Sequence, residues 1–225
     1  MLNLEPSKIK MIAFDIDGTV FSSEGIISDV YKESIQNFSE KFGKPISMPS
    51  HEKIMLQIGK PVKTIFQNLL PELPENDRDI ISDSVLDFLC KRIENGEGYI
   101  YPNAKETIHE LKKRNFLITA ASNGRRKYVE TILKRIDAIQ FFDDIAILNY
   151  KDIQTKGDIL IHYKQKYQLS GNQILMVGDR ASDRDASVNA DTPFAFCTFG
   201  HAVEGEILDY SVELKTLYDI VSIFS

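Results

Sequence analysis

Two aspartates, Asp15 and Asp17, close an apolar run, Met11-Ile-Ala-Phe14, and lead directly into Gly18-Thr19. A short strand that ends this way brings a nucleophile, a proton donor and a metal ligand to one point. An aspartyl carboxylate is a nucleophile in phosphoryl transfer, so Asp15 is a candidate to attack phosphorus. It would approach a phosphate dianion against repulsion, and such a site therefore needs a divalent cation and a lysine nearby. An EF-hand loop also begins Asp-x-Asp, but it requires glycine at the sixth position and glutamate at the twelfth. Here Gly18 stands fourth, behind a strand pattern rather than a helix. A turn that carries carboxylates by chance is the other reading of the stretch.

Further candidates lie far along the chain. Ser122 follows Leu117-Ile-Thr-Ala-Ala121 and can offer a hydroxyl to a phosphate oxygen, while the N–H groups of Asn123 and Gly124 open the next helix and favour an anion. A small residue after a strand is also ordinary structure. Asp179 follows Ile174-Leu-Met-Val177 and can complete an oxygen-rich site for magnesium with Asp15 and a backbone carbonyl. Asp183 can order a metal-bound water, hold the lysine, or only cap the next helix. Lys156 sits in a helical first turn, where it opposes the helix dipole unless an anion faces it; Lys151 competes for the same task. Lys60, in Gly59-Lys60-Pro61, either reaches a substrate or is solvated in a turn between helices.

These residues need elements that bring them together. From Ser28 to about Asn95 the apolar spacing is helical throughout. Ile27, Val30, Tyr31, Ile35, Phe38 and Phe42 mark the first helix, with Ser28 as its N-cap and Gly43 as its C-cap. Three more helices follow, over about 50–58, 61–70 and 76–93, set apart by Pro49, Gly59-Lys60-Pro61, Pro71 and Pro74. From Tyr99 onward helices alternate with short apolar strands at 116–121, 145–148, 173–177 and 194–198, and a final helix is expected over Leu214 to Ile223. Unbroken apolar strands separated by helices indicate a parallel sheet covered on both faces. The strand at Met11–Phe14 belongs to that sheet, so the helical block is an insertion directly after it. Ligands of open parallel sheets bind at the C-terminal ends of the strands. Asp15 and Asp17, Ser122, and Asp179 with Asp183 all fall at such ends and are expected to converge on one rim.

A chain of 225 residues can bury a core and suits one domain plus an insertion. The net charge of -6 argues against binding nucleic acid through phosphate contacts. Cys90 and Cys197 stand in separate apolar stretches and read as buried free thiols. There is no signal-peptide pattern and no apolar run near about 20 residues, so no membrane association and a cytoplasmic location are expected.

Taken together, Asp15-Ile-Asp17-Gly18-Thr19, Ser122-Asn123, Lys156 and Gly178-Asp179-x-x-x-Asp183 resemble the four ordered motifs of the haloacid dehalogenase superfamily. Within it the chain is similar to the phosphoglycolate phosphatase-like branch with an inserted α-helical cap. Tyr101-Pro102-Asn103-Ala104 and Phe199-Gly200-His201-Ala202 add to the likeness. The resemblance implies an α/β fold: a Rossmann-like three-layer α/β/α parallel-sheet core over 1–21 and 97–225, with a helical-bundle cap over 22–96. It implies a magnesium-dependent phosphatase acting on a small phosphorylated metabolite (phosphoglycolate-, sugar-phosphate- or nucleotide-like) through an aspartyl-phosphate, as a monomer or small homo-oligomer. Asp15 is then the nucleophile. Asp17 protonates the leaving alkoxide and activates water, and its carbonyl joins Asp15 and Asp179 around Mg2+. Ser122, Asn123 and Lys156 hold the phosphoryl group, supported by Asp183, Gly18 and Thr19. The chain departs from the pattern at Phe21-Ser22-Ser23-Glu24, where many members carry an aspartate, and at Arg125-Arg126, where many carry a lysine two residues after the serine. Arg125 and Arg126 either touch substrate or form a solvated helix face. A phosphosugar mutase with the same two aspartates is the nearest alternative, and a non-catalytic binding or regulatory protein of this fold is the third.

Overall fold

The computed structural model describes residues 3–224; Met1, Leu2 and Ser225, the outer ends of the expected core, lie outside them. Its centre is a six-stranded sheet in the order β5-β4-β1-β6-β7-β8, parallel throughout. The strands are β1 (Met11–Phe14), β4 (Leu117–Ser122), β5 (Asp144–Ile147), β6 (Ile174–Gly178), β7 (Phe194–Cys197) and β8 (Val212–Leu214). Strand β1 is buried along its whole length, as a central strand covered on both faces must be. Alternate side chains serve alternate layers. Ile12, Phe14, Leu175 and Val177 pack into one apolar cluster, and Met11, Ala13, Ile174 and Met176 into the other.

Helices α7 (Lys156–Tyr167) and α8 (Ala181–Ala190) cover the second face, and α5 (Ala104–Lys113), α6 (Arg126–Arg135) and α9 (Asp219–Ile223) the first. Between β1 and the rest of the sheet lie α1 (Glu24–Phe42), α2 (His51–Met55), α3 (Val62–Leu69) and α4 (Glu75–Glu94), whose apolar faces join the first cluster. The chain leaves for these helices and returns from them through a two-stranded antiparallel ribbon, β2 (Phe21–Ser22) against β3 (Tyr99–Ile100). Two-residue strands carry too little pattern to be read from sequence.

Helix α1 starts earlier than its apolar spacing suggests. Ser23 is the N-cap residue, and Ser28 lies inside the helix with its Oγ 2.7 Å from His51 Nδ1. Gly43 closes the helix in the left-handed conformation, as expected. The larger correction is at the C-terminus, where the expected helix over Leu214 to Ile223 splits. Val212–Leu214 joins the sheet edge beside β7, and the helix begins only at Asp219. Leu214, Leu217, Ile220 and Val221 are all buried, so their spacing imitates a helical face although a turn interrupts it. Asp219 holds that turn by accepting from the N–H groups of Lys215 and Thr216 at 2.9 and 2.8 Å. Cys90 and Cys197 are buried free thiols. No helix among the described residues is long and apolar enough to cross a membrane.

Candidate active site

Lys156 stands where the strand ends meet. Thr155 caps α7 through a capping box with Asp158, which places Lys156 as the first helical residue and aims it inward. Its side chain is 2% exposed, and its Nζ lies 2.9 Å from Asp15 Oδ1 and also bonds Asp183 Oδ1. Burial works against a charged lysine, but the carboxylates of Asp15 and Asp183 more than offset it and hold the ammonium protonated. Asp183 does two of the things its sequence position allows. One oxygen takes the lysine; the other accepts from the N–H groups of Asp179 and Arg180 at 3.0 and 2.9 Å, capping α8.

Asp15, Asp179 and Asp183 form a buried cluster in which one oxygen of each lies within 4.8 Å of the others. Burial first, then the charge of Asp183, pushes the Asp15 carboxyl up to about 7 against the pull of Lys156. Burial, then Asp183 and Asp15, pushes Asp179 well above the usual carboxylate range, partly countered by the His201 N–H, which donates to its Oδ2 at 2.6 Å. Three buried carboxylates face one lysine, and this excess of negative charge on hard oxygen donors fits a divalent cation. Asp183 is saturated, with one oxygen on the Lys156 ammonium and the other on two N–H groups, whereas Asp179 takes only the His201 N–H on Oδ2 and a longer contact from Thr19 Oγ1 to Oδ1 at 3.4 Å. Asp15 and Asp179 are therefore the carboxylates with the more ligand capacity left. Gly18 closes the floor of the site. A Cβ there would lie 2.2 Å from Asp179 Oδ2, and φ is +95°, so the close approach and the turn both require glycine.

Asp17 points away from the carboxylate cluster. Its Oδ1 accepts from the Ser23 N–H at 2.9 Å, and its Oδ2 from Ser23 Oγ at 2.6 Å and Tyr128 Oη at 2.8 Å. Ser122 and Asn123 are buried at the end of β4; Ser122 Oγ accepts from the Gly124 N–H at 3.1 Å, and Asn123 Oδ1 is buried with no partner among the described residues. Asp15, Asp17, Ser122, Asn123 and Lys156 thus line one pocket, whose far wall comes from α1, α3, α4 and the α2–α3 turn. That turn is tied down: the Gly59 carbonyl accepts from Asn123 Nδ2 at 2.7 Å and Ser182 Oγ at 3.1 Å, and Arg180 Nη1 donates to the Ile58 carbonyl at 2.7 Å.

Lys60 also lines the pocket, with Nζ on Gln57 Oε1 at 3.0 Å. Arg125 lines it as well, but its guanidinium is taken by Asp83 at 2.5 Å and Ser82 Oγ at 2.6 Å, bracing α6 against α4. Arg126 turns elsewhere, to Glu130 and the Ile145 carbonyl. Of the two lysines that compete for this task, Lys156 and not Lys151 is built into the cluster. The contacts of Ser23 and Tyr128 with Asp17, and of the His201 N–H with Asp179, have no counterpart in the sequence motifs. Ser23 stands six residues from Asp17 on the departing segment, and Tyr128 sits on a helix face where an aromatic residue reads as core; neither has a local signature.

A model of haloacid dehalogenase-like hydrolases matches residues 9–191 of the chain. The chain is 27% identical over 203 residues to a phosphoglycolate phosphatase of Vibrio cholerae, covering 86% of each chain. It is 24% identical over 200 residues to the enzyme of that name from Vibrio parahaemolyticus, covering 86% of this chain and 85% of that one. Among solved structures it is similar to a predicted phosphoglycolate phosphatase from Haemophilus somnus, with TM-score 0.84 and 21% identity over 97% of this chain and 99% of that one. It is also similar to CbbY from Rhodobacter sphaeroides in complex with phosphate, with TM-score 0.76 and 16% identity over 94% and 96%.

Proposed function

Because the chain belongs to the haloacid dehalogenase-like hydrolases, we propose that it is a phosphatase that removes the phosphoryl group of a small phosphomonoester by way of an aspartyl-phosphate on Asp15. One observation carries this reading. Lys156 is buried between Asp15 and Asp183, beside Asp179 and the Ser122 end of β4, so a nucleophilic carboxylate, a charge-neutralising ammonium, a hydroxyl and the oxygen donors for a divalent cation meet at one end of one pocket.

In this reading Asp15 attacks phosphorus while the ester P–O bond breaks, and the leaving alkoxide takes a proton from Asp17. Asp17, now a carboxylate, withdraws a proton from water; that water attacks the same phosphorus, and the bond to Asp15 breaks to release phosphate. Ser23 and Tyr128 fix the Asp17 carboxyl for both transfers. Ser122 Oγ, the Asn123 N–H and the Lys156 ammonium hold the phosphoryl oxygens. Asp15, Asp179 and the Asp17 carbonyl are the residues that would hold Mg2+, which when bound neutralises charge on the phosphoryl group. The segment 22–96 acts as a cap that closes the rim and excludes water until the ester has left.

The test is phosphate release from a panel of phosphomonoesters with and without magnesium. Turnover that needs magnesium and is lost in Asp15→Asn supports the reading. Ligand binding with no phosphate release from any ester would leave a binding protein instead.

A further inference from the structure

The pocket has two ends of different character. Asp15, Asp17, Ser122 and Lys156 form one end; most of the remaining wall is apolar, including Ile27, Tyr31, Ile65, Phe66, Val85 and Leu89. The five aliphatic or aromatic groups other than Tyr31 carry no polar atom to meet a charge. Tyr31 stacks on Phe66 with ring centroids 5.5 Å apart and planes 10° apart, which gives the wall a flat aromatic face. The Tyr31 hydroxyl has no hydrogen-bond partner among the described residues, and burial alone pushes its pKa up. It adds one polar group to a mainly apolar wall that also carries Ser82, Lys60 and Arg125.

The curated relatives are named for phosphoglycolate, whose alcohol carries a carboxylate. A buried carboxylate needs a paired cation, because its desolvation is not otherwise offset. Of the cations that line this wall, Arg125 is already neutralised by Asp83. Lys60 is turned to Gln57 Oε1, which also accepts from Asn68 Nδ2 at 2.8 Å. We propose that this chamber selects a phosphomonoester whose alcohol is apolar and uncharged, of the arylalkyl or branched alkyl class, over one with a second anionic group. The proposal rests on the phosphatase reading above. The apolar portion leaves water against the α1, α3 and α4 side chains. Apart from Lys60, whose ammonium is held by the neutral Gln57 side chain, that wall carries no charge without an ionic partner among the described residues.

The experiment compares kcat/KM for benzyl phosphate, glycerol 3-phosphate and phosphoglycolate, with p-nitrophenyl phosphate as a general reporter of turnover. The first three all release an alkoxide, so leaving-group ability does not decide the order. Benzyl phosphate is expected to lead phosphoglycolate by about tenfold or more, the scale on which apolar pockets discriminate. Val85→Thr, which keeps the shape but adds a hydroxyl to the wall, should narrow that ratio. Leu86→Lys, at a half-buried position of the same wall, should raise phosphoglycolate turnover. Melting curves establish that both variants are folded, and the wild-type ranking stands whether or not they are. Equal values for the three esters would overturn the proposal. So would a preference for phosphoglycolate that disappears in Lys60→Ala. Absence of phosphate release from all four compounds would overturn the phosphatase reading itself.

Discussion

The hydroxyl of Tyr128 donates to Oδ2 of Asp17 at 2.8 Å, across 111 residues of sequence. Ser23 holds the same carboxylate from only six residues away, so Asp17 is gripped between the segment that leaves the sheet and the helix that follows Ser122. Tyr128→Phe keeps the ring in its buried place and removes only the donor. Turnover of an alkyl phosphate should fall about tenfold, the scale of one hydrogen bond to an ionised group, with the melting temperature nearly unchanged. Steady-state kinetics beside a melting curve would show this; full activity in the variant would mean that Ser23 alone positions Asp17.

Asp17→Asn retains the backbone carbonyl but cannot move a proton. The loss should be on the order of 10²- to 10⁴-fold for an alkyl phosphate and clearly smaller for p-nitrophenyl phosphate, whose phenolate leaves unaided. Equal losses on the two esters would count against Asp17 as the proton donor.

Asp15→Asn should reduce turnover by at least about 10³-fold, since the nucleophile is gone. Its effect on stability has the opposite sign. The Asp15 carboxyl titrates at about 7 in the fold against 3.8 for a free side chain. A carboxyl whose pKa is raised by folding contributes stability that is fully present below the unfolded value and is lost as pH rises through the folded one. Metal-free wild type should therefore lose melting temperature between pH 5 and pH 8 more steeply than Asp15→Asn. Parallel curves for the two proteins would show that Asp15 is not crowded by its neighbours.

Magnesium should raise the melting temperature of the wild type, because a ligand that binds only the folded state stabilises it by mass action. Asp179→Asn should abolish that shift, and excess EDTA should abolish turnover. A shift that survives in Asp179→Asn would place the cation elsewhere.

Gly18→Ala should be inactive as well as destabilised. The added Cβ would lie 2.2 Å from Asp179 Oδ2, at a φ of +95°, so the carboxylate must move or the turn must open. Native activity in this variant would contradict the close packing of the turn on Asp179.

The parallel sheet was legible because its strands are buried on both faces and therefore appear as unbroken apolar runs between helices. The rim was legible for the same reason: a strand's C-terminal end is a sequence position, so Asp15, Ser122 and Asp179 fall on one edge by sequence alone. Local chemistry also carried the end of α1 at Gly43. The edge strand β8 was not legible, because Leu214, Leu217 and Ile220 fit a helical period as well as they fit a strand followed by a turn. The choice of Lys156 over Lys151, the double engagement of Asp183, and the grip of Ser23 and Tyr128 on Asp17 were decided only by the tertiary structure. Each depends on the direction of a side chain across elements distant in sequence, and a hydrogen bond between residues 111 positions apart leaves no periodicity or spacing to read. The apolar character of the far wall belongs to the same class. The helices at 24–94 show apolar stripes in sequence, but only packing decides which of those side chains fill the core and which face the pocket.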